Sequence, residues 1–322
     1  MTRAFFIVGP TATGKSELAA DIAREIGAEI VSADAFQIYR GLDLLTAKPE
    51  ALILAKAPHH LIGTAPLSEE MNAEKYRRVA RSVIENINSR SKLAIVVGGS
   101  GLYIKALTHG LAALPESDAK LREKLNGLSL TELRSQLCEF DPDTAEKIDP
   151  KNRRRIVRAV EICLLTGRPA SKLVAEGDDP GNVADGRPRS APAATGAEST
   201  ILATGVFVFR HREELYQRIN QRVEIMFERG VIEEVRDAGV ISATASQMIG
   251  LREIRQMLAG KESLTQCITE IQQATRRYAK RQLTWFRRQT NFLPLNLSFL
   301  THNEAVKWIS LRMLSEAGNR DD

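Results

Sequence analysis

The stretch from residue 4 to residue 16, AFFIVGPTATGKS, decides the fold of this chain. Its apolar start, residues 4–8, predicts a buried strand, and a helical spacing of apolar residues begins at Ser16. Between the two, residues 9–16 fit the phosphate-loop pattern G-x-x-x-x-G-K-[ST]. In such a loop, backbone N–H groups and the positive start of a helix surround a phosphate. The sequence therefore predicts a site for a polyphosphate ligand.

Strand and helix patterns alternate through the first hundred residues. Strands are predicted at residues 4–8, 28–32 and 93–97, and helices at 16–26 and about 73–87. This alternation is typical of a parallel sheet with helices on its faces. We therefore expect an α/β fold built around the phosphate loop.

The remainder of the chain is predicted to leave the sheet and return to it. From about residue 115 the spacing becomes helical, and residues 177–200 lack the large apolar side chains that would offset the entropy of ordering them. A strand at 205–209 then precedes several amphipathic helices. The predicted parts are a first portion of the core (1–114), a helical insertion domain (115–176), a flexible loop (177–200) and a second portion of the core with a basic C-terminal helix (201–322).

The composition excludes a membrane span and argues against a disulfide framework. The longest apolar runs fall far short of the roughly 18 residues needed to cross a bilayer. The first strand leaves no room for a signal peptide, so we expect a cytoplasmic protein. The three cysteines are odd in number and far apart, and none has metal-ligand spacing. The net charge of +5 makes an anionic partner plausible, but only a clustering of the positive residues would indicate one.

Asp34 closes the second predicted strand. Ligands of open parallel sheets bind outside the carboxyl ends of the strands, so we expect Asp34 to face the phosphate site. Its carboxylate could hold Mg²⁺, act as a general base or cap a helix. The following Gln37 and Arg40 carry groups suited to base edges and phosphates. A second glycine cluster, residues 98–101, contains Ser100 and follows another strand.

Positive charge is concentrated near the end of the chain. On a helical wheel of residues 274–289, six cations fall within an arc of about 140°. They are Arg276, Arg277, Lys280, Arg281, Arg287 and Arg288. The segment contains no acidic residue, which favours a track for a nucleic-acid backbone over an ordinary solvated face.

Two further groups of cations are candidates for anion contacts. Residues 151–158 hold a cluster that opens a predicted helix, where positive charge opposes the helix dipole. Arg218 and Arg222 lie four residues apart on one helix face. They could grip a diphosphate or simply pair with Glu214 and Glu224.

Taken together, these motifs resemble the tRNA dimethylallyltransferase family. The resemblance runs in order from about residue 7 to residue 288 and leaves out residues 177–200 and the tail after Leu293. It rests on GPTATGKS, VSADAFQIYRGLDLLTAKP, APHHLIG, VVGGSGLYIKAL, DPDTAEKIDPKNRRRIVRAVEICLLTGRPAS, LYQRINQRV with GVIEEV, and YAKRQLTWFR. No single element is decisive, but their joint order is very specific.

The resemblance implies a nucleotide-kinase-like core whose helical insertion helps to clasp a tRNA anticodon stem-loop. It also implies dimethylallyl diphosphate as prenyl donor, Mg²⁺ on Ser16, Asp34 as general base, and Lys15 and Arg222 as catalytic cations. The donor diphosphate would be bound by Gly9, Pro10, Thr11, Ala12, Thr13, Gly14, Lys15, Ser16 and Ser100. The expected tRNA contacts are Gln37, Arg40, Lys48, Arg154, Arg277, Lys280 and Arg281. His59 aligns with a family histidine near the donor, although a structural role is an equal alternative. No obligate protein partner is implied.

Several residues depart from the family pattern. Ala35 stands where a Ser is usual, Leu45 replaces Gly, Gly63 replaces Asp, and Leu251 replaces Tyr. None of them removes a residue with a proposed chemical role.

Three other functions share some of these motifs. A prenyltransferase of free adenine nucleotides would use the same loop and aspartate, but it would need no cationic track. A kinase would hold ATP on Lys15, and an RNA-binding protein without enzymatic activity would use the loop as a nucleotide switch.

Overall fold

The computed structural model describes residues 2–177, 201–289 and 291–318. The described residues divide into two compact units, 2–108 with 201–318, and 109–177. The sequence predicts that the helical insertion begins at residue 115, and the second unit begins six residues earlier, at His109. The predicted flexible loop, apart from residue 177, lies outside the described residues.

The first unit contains one parallel sheet. Its described strands are β1 (Arg3–Val8), β2 (Glu29–Ala33), β3 (His59–His60), β4 (Ala94–Gly98), β5 (Leu202–Phe209) and β6 (Leu293–Asn296). They are ordered β3-β2-β4-β1-β5-β6, and every neighbouring pair is parallel. The predicted α/β class is thus confirmed, and β1 lies in the interior of the sheet.

Helices connect these strands and also build the second unit. The first unit begins with α1 (Lys15–Ile26), α2 (Ala51–Leu54), α3 (Ala73–Ser89) and α4 (Gly101–Thr108). The second unit consists of α5 (Ala119–Gly127), α6 (Leu130–Phe140), α7 (Pro142–Lys147), α8 (Arg153–Thr166) and α9 (Ala170–Gly177). The first unit resumes with α10 (Arg212–Glu228), α11 (Val231–Arg236), α12 (Leu251–Leu258), α13 (Leu264–Phe286) and α14 (His302–Gly318).

The alternation of side chains along β1 explains why both faces of the sheet are covered. Phe6 and Val8 face the core that α3, α12 and α13 help to build, whereas Phe5 and Ile7 face the core shared by α1 and α14. Successive strand residues point to opposite faces, so an uninterrupted apolar run is what a strand buried on both sides requires. This burial fixes the end of β1, and with it the start of the phosphate loop.

The C-terminal segment was not predicted from the sequence. β6 pairs with β5 at one edge of the sheet, and α14 packs on α1 through Val306, Ile309 and Met313. The alternation that identifies the earlier strands is weak here, because Leu293 and Pro294 at the sheet edge are both exposed.

The second unit has its own apolar core, built from Leu133, Leu137, Ile156 and Val160 on α6 and α8. Glu161 is fully buried in it and forms ion pairs with Arg122 and Arg158. Across both units, no helix among the described residues is long and apolar enough to cross a membrane.

Candidate active site

The phosphate loop begins where β1 ends. Gly9 has a φ of 157°, and a Cβ there would lie 2.1 Å from the Val208 carbonyl oxygen of the neighbouring strand. Only glycine fits this close approach. Within the loop, the Thr13 hydroxyl donates to the Pro10 carbonyl oxygen at 3.0 Å. The chain then enters α1 at Lys15, so the start of this helix points at the space above the loop.

Lys15 lies against its own loop. Its Nζ donates to the Pro10 carbonyl oxygen at 3.1 Å. The pKa of Lys15 is lowered to about 8: burial is the main cause, Asp34 opposes the shift, and the nearby Arg222 adds to it. A charged ammonium in this position is poorly solvated, and a bound anion would stabilise it.

Three arginines surround the same loop. Arg222 donates to the Thr11 hydroxyl at 2.8 Å, Arg218 to the Ala12 carbonyl oxygen at 2.8 Å, and Arg210 to the Thr13 carbonyl oxygen at 2.9 Å. Each therefore holds a different loop residue and brings positive charge to it.

Glutamates do not neutralise this group fully. Glu214 bonds Arg210 rather than Arg222, and Glu224 accepts from Gln272. The Nε of Arg222 is buried and has no hydrogen-bond partner among the described residues. Burial lowers the pKa of Arg222, and the negative charge of Asp34 opposes this shift only in part. The alternative in which Arg218 and Arg222 pair with Glu214 and Glu224 holds only in part: Glu214 attracts the Arg218 guanidinium, whereas no ion pair among the described residues joins Arg222 to either glutamate.

Asp34 directly follows β2 and faces the cleft above the phosphate loop. Its Oδ1 accepts N–H bonds from Phe36 at 2.9 Å and Gln37 at 3.2 Å, so one oxygen orders the turn. The Ser100 hydroxyl supports the same turn by accepting from the Ala35 N–H at 2.9 Å. Asp34 is thus both a turn residue and a carboxylate that lines the cleft.

The second glycine cluster makes room for helix α13. A Cβ on Gly99 would lie 2.3 Å from the Gln282 Nε2, and one on Gly101 would lie 2.7 Å from the Trp285 ring. The sequence pattern favours a close approach to a ligand or a tight turn at these glycines. The structure shows the tight turn, since β4 ends at Gly98 and α4 begins at Gly101, and it adds a packing role against α13.

A cleft of about 940 Å³ opens beside the loop. Polar residues of the loop, Asp34 and several apolar side chains line it. The apolar residues are Leu44, Ile53, Leu54, Ile62, Val97, Ile225 and Met226. A ligand with a charged diphosphate and a short hydrocarbon suits a cleft that offers both kinds of lining.

The three predicted tRNA contacts between residues 37 and 48 also line this cleft, but they differ in exposure and in their hydrogen bonds. Arg40 is exposed. The Gln37 amide donates to the Ala47 carbonyl oxygen at 2.9 Å. The Lys48 ammonium donates to the Tyr39 carbonyl oxygen and pairs with Asp43, both at 2.5 Å, and its side chain is only 7% exposed. Gln37 and Lys48 therefore order this segment as the structure stands.

The predicted cationic face of α13 divides in two. Arg277, Lys280 and Arg281 are exposed on the helix, as the wheel predicts. Arg276 instead turns to α10, where it donates to the Asn220 side chain at 2.5 Å and lies over the Tyr216 ring. Arg287 and Arg288 are exposed but follow the last helical residue, Phe286.

The arginines at the start of α8 in the second unit are also not equivalent. Arg153 donates to the carbonyl oxygens of Asn126 and Leu128 at the end of α5, at 2.8 and 2.5 Å. It therefore satisfies a helix end, which accounts for a cation that opposes the dipole of its own helix. Arg154 and Arg155 remain exposed.

His59 fits the structural alternative. Its Nδ1 bonds the Ala57 carbonyl oxygen at 2.7 Å, and burial lowers the pKa of the imidazole.

Comparison with known proteins shows the family. The family model described as IPP transferase matches residues 37–289. The chain belongs to the IPP transferase family. It is 43% identical over 287 residues to tRNA dimethylallyltransferase 1 of Citrifermentans bemidjiense, covering 88% of each chain. It is 39% identical to tRNA dimethylallyltransferase of Geobacter sulfurreducens, covering 96% of this chain and 92% of that one.

A solved IPP transferase has the same fold. The tRNA isopentenylpyrophosphate transferase of Bacillus halodurans superposes with a TM-score of 0.69 at 31% identity, over 98% of this chain and 96% of that chain. A eukaryotic dimethylallyltransferase acting on tRNA superposes with a TM-score of 0.76, at 24% identity. The fold and family predicted from the motifs are confirmed.

Two residues of the candidate site could not be identified from the motifs of the sequence. Arg210 directly follows β5, and its side chain reaches the phosphate loop, where it donates to the Thr13 carbonyl oxygen. Nothing in the local sequence distinguishes this arginine from others. The helical wheel places Gln282 on the packed face of the basic helix. A polar residue on a packed face needs hydrogen-bond partners, so this position could have indicated a contact between the helix and the loop. The Gln282 amide bonds the Thr11 N–H and the Gly99 carbonyl oxygen.

Proposed function

We propose that this chain transfers the dimethylallyl group of dimethylallyl diphosphate to N6 of adenosine 37 in tRNAs that read codons beginning with U. The products would be N6-isopentenyladenosine and diphosphate. One observation supports this most: the buried Arg222 guanidinium, with an unpartnered Nε, lies beside the phosphate loop in a cleft that Asp34 also lines.

The donor diphosphate is proposed to bind to residues 9–16, with Lys15 and Arg222 against its oxygens. The backbone N–H groups of the loop and the start of α1 contribute partial positive charge. Ser100 is proposed to contact the diphosphate, and it already supports the Asp34 turn through the Ala35 N–H. Because Lys15 and Arg222 are desolvated, charge that develops on the departing diphosphate is stabilised more strongly than it would be in water.

Asp34 is proposed as the general base. The N6 lone pair of adenine is delocalised into the ring, so N6 attacks the allylic carbon effectively only as its proton is removed. The C–O bond to the diphosphate breaks as the N–C bond forms, and the proton goes to the Asp34 carboxylate. Because the Phe36 and Gln37 N–H groups both bond Oδ1, the carboxylate is fixed in orientation.

A magnesium ion is proposed to accompany the diphosphate. Mg²⁺ favours oxygen ligands and binds through few protein groups together with substrate phosphates. The Ser16 hydroxyl supplies an oxygen donor in the cleft next to the proposed diphosphate site, so the residues fit. When bound, the ion neutralises charge on the leaving group. A separate cluster of Glu17, Asp21 and His302 fits less well, since Lys56 and Arg24 already pair with Asp21.

The tRNA is proposed to lie along the exposed cations of α13, which are Arg277, Lys280 and Arg281. Arg154 on the second unit is proposed as a further phosphate contact. Adenosine 37 must leave its stack to reach Asp34, and Gln37, Arg40 and Lys48 are proposed to contact the neighbouring nucleotides. For Gln37 and Lys48 this requires release of their present internal bonds. We also propose a cytoplasmic location, where the substrate tRNA is found.

A synthetic anticodon stem-loop tests this proposal. Labelled dimethylallyl diphosphate, Mg²⁺ and the protein are incubated with stem-loops that differ only in adenosine or guanosine at position 37. We expect label in the adenosine stem-loop alone. Label in both, or in neither while full-length tRNA is also unmodified, would contradict the proposed acceptor.

A further inference from the structure

Helix α13 carries exposed cations on one side and touches the phosphate loop with the other. Gln282 makes this contact. It is 6% exposed, and both ends of its amide are bonded. Its Oε1 accepts from the Thr11 N–H at 3.0 Å, and its Nε2 donates to the Gly99 carbonyl oxygen at 2.8 Å. One side chain of α13 therefore joins the turns that follow β1 and β4.

Thr11 is held from two sides by these contacts. Gln282 holds its backbone N–H, and Arg222 donates to its hydroxyl at 2.8 Å. The next residue, Ala12, has a φ of 63°, in the left-handed region that alanine rarely adopts. Such a backbone persists only where surrounding contacts fix it. The bond from Gln282 is one of the contacts that can do so.

The packing around Gly99 shows that the amide has a fixed place. A Cβ at Gly99 would lie 2.3 Å from the Gln282 Nε2 and 2.9 Å from the Gly9 carbonyl oxygen. Thus the amide fills the space that a side chain at 99 would occupy. Trp285, one turn further along α13, occupies the corresponding space at Gly101. Movement of α13 would therefore be transmitted to both glycine turns.

The exposed side of the helix lies only a few residues away in sequence. Arg281 precedes Gln282 directly, and Arg277 and Lys280 lie within one and a half turns. Tyr278, one turn before Gln282, lies beneath the Arg281 guanidinium, whose central carbon is 5.6 Å from the centroid of the tyrosine ring. A polyanion bound to the three cations would hold α13 in place, and α13 in turn would hold Thr11 and Gly99.

From these contacts we infer that Gln282 is a positioning residue that couples the exposed face of α13 to the phosphate loop. Binding of tRNA on that face and binding of a diphosphate in the loop then strengthen each other. This inference rests on the proposed function, and it assigns no direct contact between Gln282 and either ligand. By linkage, each ligand must change the affinity of the other by the same factor.

A thermodynamic cycle measures this coupling without turnover. Inorganic pyrophosphate with Mg²⁺ is titrated into the protein by calorimetry, with and without unmodified tRNA. In the wild-type protein we expect tRNA to tighten pyrophosphate binding about fivefold or more. In Gln282→Met we expect the factor to fall toward one and pyrophosphate alone to bind about tenfold more weakly, while tRNA alone binds within about twofold of wild type.

Matched variants separate positioning from a general loss of structure. Gln273 is exposed on the same helix, so Gln273→Met should leave both affinities and the coupling unchanged. Gly99→Ala should weaken pyrophosphate binding and coupling at least as much as Gln282→Met, because its methyl group displaces the amide and also presses on the Gly9 carbonyl oxygen. Gly239→Ala, where a Cβ meets nothing within 4 Å, is its control. Thermal unfolding should show that the variants used in the cycle are folded.

Two results would overturn the inference. One is a coupling factor near one in the wild-type protein, and the other is an unchanged factor in folded Gln282→Met or Gly99→Ala. Failure of the proposed function is distinguishable, because it appears as absence of prenyl transfer to tRNA by the wild-type protein. Even without prenyl transfer, comparison of the pyrophosphate affinity of Gln282→Met with that of the wild-type protein still tests whether Gln282 positions the loop.

Discussion

The first unit presents two groups of positive side chains that differ in their surroundings. Lys15 and Arg222 lie beside the phosphate loop, where burial lowers the pKa of both. Arg277, Lys280 and Arg281 are exposed on α13. Desolvated cations interact strongly with a few well-placed oxygens, whereas exposed cations attract polyanions weakly and in a salt-dependent way. The first group suits the chemical step and the second suits the capture of a nucleic acid.

The net charge of the chain does not distinguish a buried cation from an exposed one. Arg222 and Arg277 contribute equally to the net charge of +5, yet of these two only Arg222 has an unpartnered buried Nε. If the comparison is correct, substitutions beside the phosphate loop should impair donor binding or turnover, and substitutions on the exposed face of α13 should impair tRNA affinity. The largest effects are expected in the cleft itself.

Asp34→Asn should lower kcat by about 10²- to 10⁴-fold, the usual contribution of a general base. The asparagine oxygen can still accept from the Phe36 and Gln37 N–H groups, so the turn should persist. Steady-state kinetics and filter binding would show slow turnover with tRNA affinity within about twofold of wild type. A large loss of tRNA affinity would make Asp34 a binding or folding residue instead.

Arg222→Met should weaken the binding of dimethylallyl diphosphate about 100-fold. Truncation of a buried, bonded charge costs about 2–5 kcal/mol of binding free energy when the ligand is its partner. Arg236→Met is the matched control, since Arg236 on α11 is exposed, pairs with Glu233 and is not among the residues that line the cleft. Calorimetry without tRNA measures both. Equal losses of affinity in the two variants would remove the distinction between buried and exposed cations.

Donor binding should take up a proton above about pH 8. In the protein without ligand, the lowered pKa means that Lys15 loses its proton as pH rises through about 8, rather than near its ordinary value. A bound diphosphate raises this pKa again, because opposite charge favours the ammonium. Calorimetry of dimethylallyl diphosphate in buffers of different ionisation enthalpy should show uptake of up to one proton at about pH 8.5 and less uptake at about pH 6.5, where Lys15 is already protonated. Lys15→Met should abolish the uptake, and equal uptake at both pH values would contradict the assignment.

Substitution of Arg277 and Arg281 by alanine should weaken tRNA binding and flatten its dependence on salt. Removal of each cation that touches a phosphate should reduce the magnitude of the slope of log K against log salt by about one. Arg252 and Arg255, exposed on α12, provide a control pair of equal charge. An unchanged slope in the α13 variant would place the RNA elsewhere.

The smallest effects should separate two neighbouring arginines of the second unit. Arg153→Ala removes donors to the end of α5 and should lower the free energy of unfolding by about 1–2 kcal/mol. Arg154→Ala should change stability by less than about 0.5 kcal/mol and weaken tRNA binding. Chemical denaturation and filter binding measure these changes, and the reverse pattern would show that the exposed arginine is the structural one.

The fold could be predicted from the sequence largely because β1 and the phosphate loop have a local signature. The uninterrupted apolar residues of β1 and the spacing of Gly9, Gly14 and Lys15 fix a strand, a turn and a helix without reference to the rest of the chain. β6 and α14 lack such a signature, since their burial depends on β5 and α1 as partners.

The candidate site could be predicted only in part, for a similar reason. Asp34 and Lys15 lie within a few residues of a strand end, so topology alone brings them together. Arg210 and Gln282 reach the loop from about 200 and 270 residues away in sequence, which no local pattern reports. Arg153 caps the end of α5, whereas Arg154 is exposed. This difference also depends on the completed fold, so the local sequence does not show it.

The most direct test of the central claim is a comparison of acceptors. Purified protein, Mg²⁺ and isotopically labelled dimethylallyl diphosphate are incubated with unmodified tRNA carrying A36-A37 or with free AMP, and the nucleosides are analysed by mass. We predict label in N6-isopentenyladenosine from the tRNA alone. Transfer only to AMP would identify a prenyltransferase of free nucleotides, and transfer to neither, together with turnover of ATP, would contradict the proposed chemistry altogether.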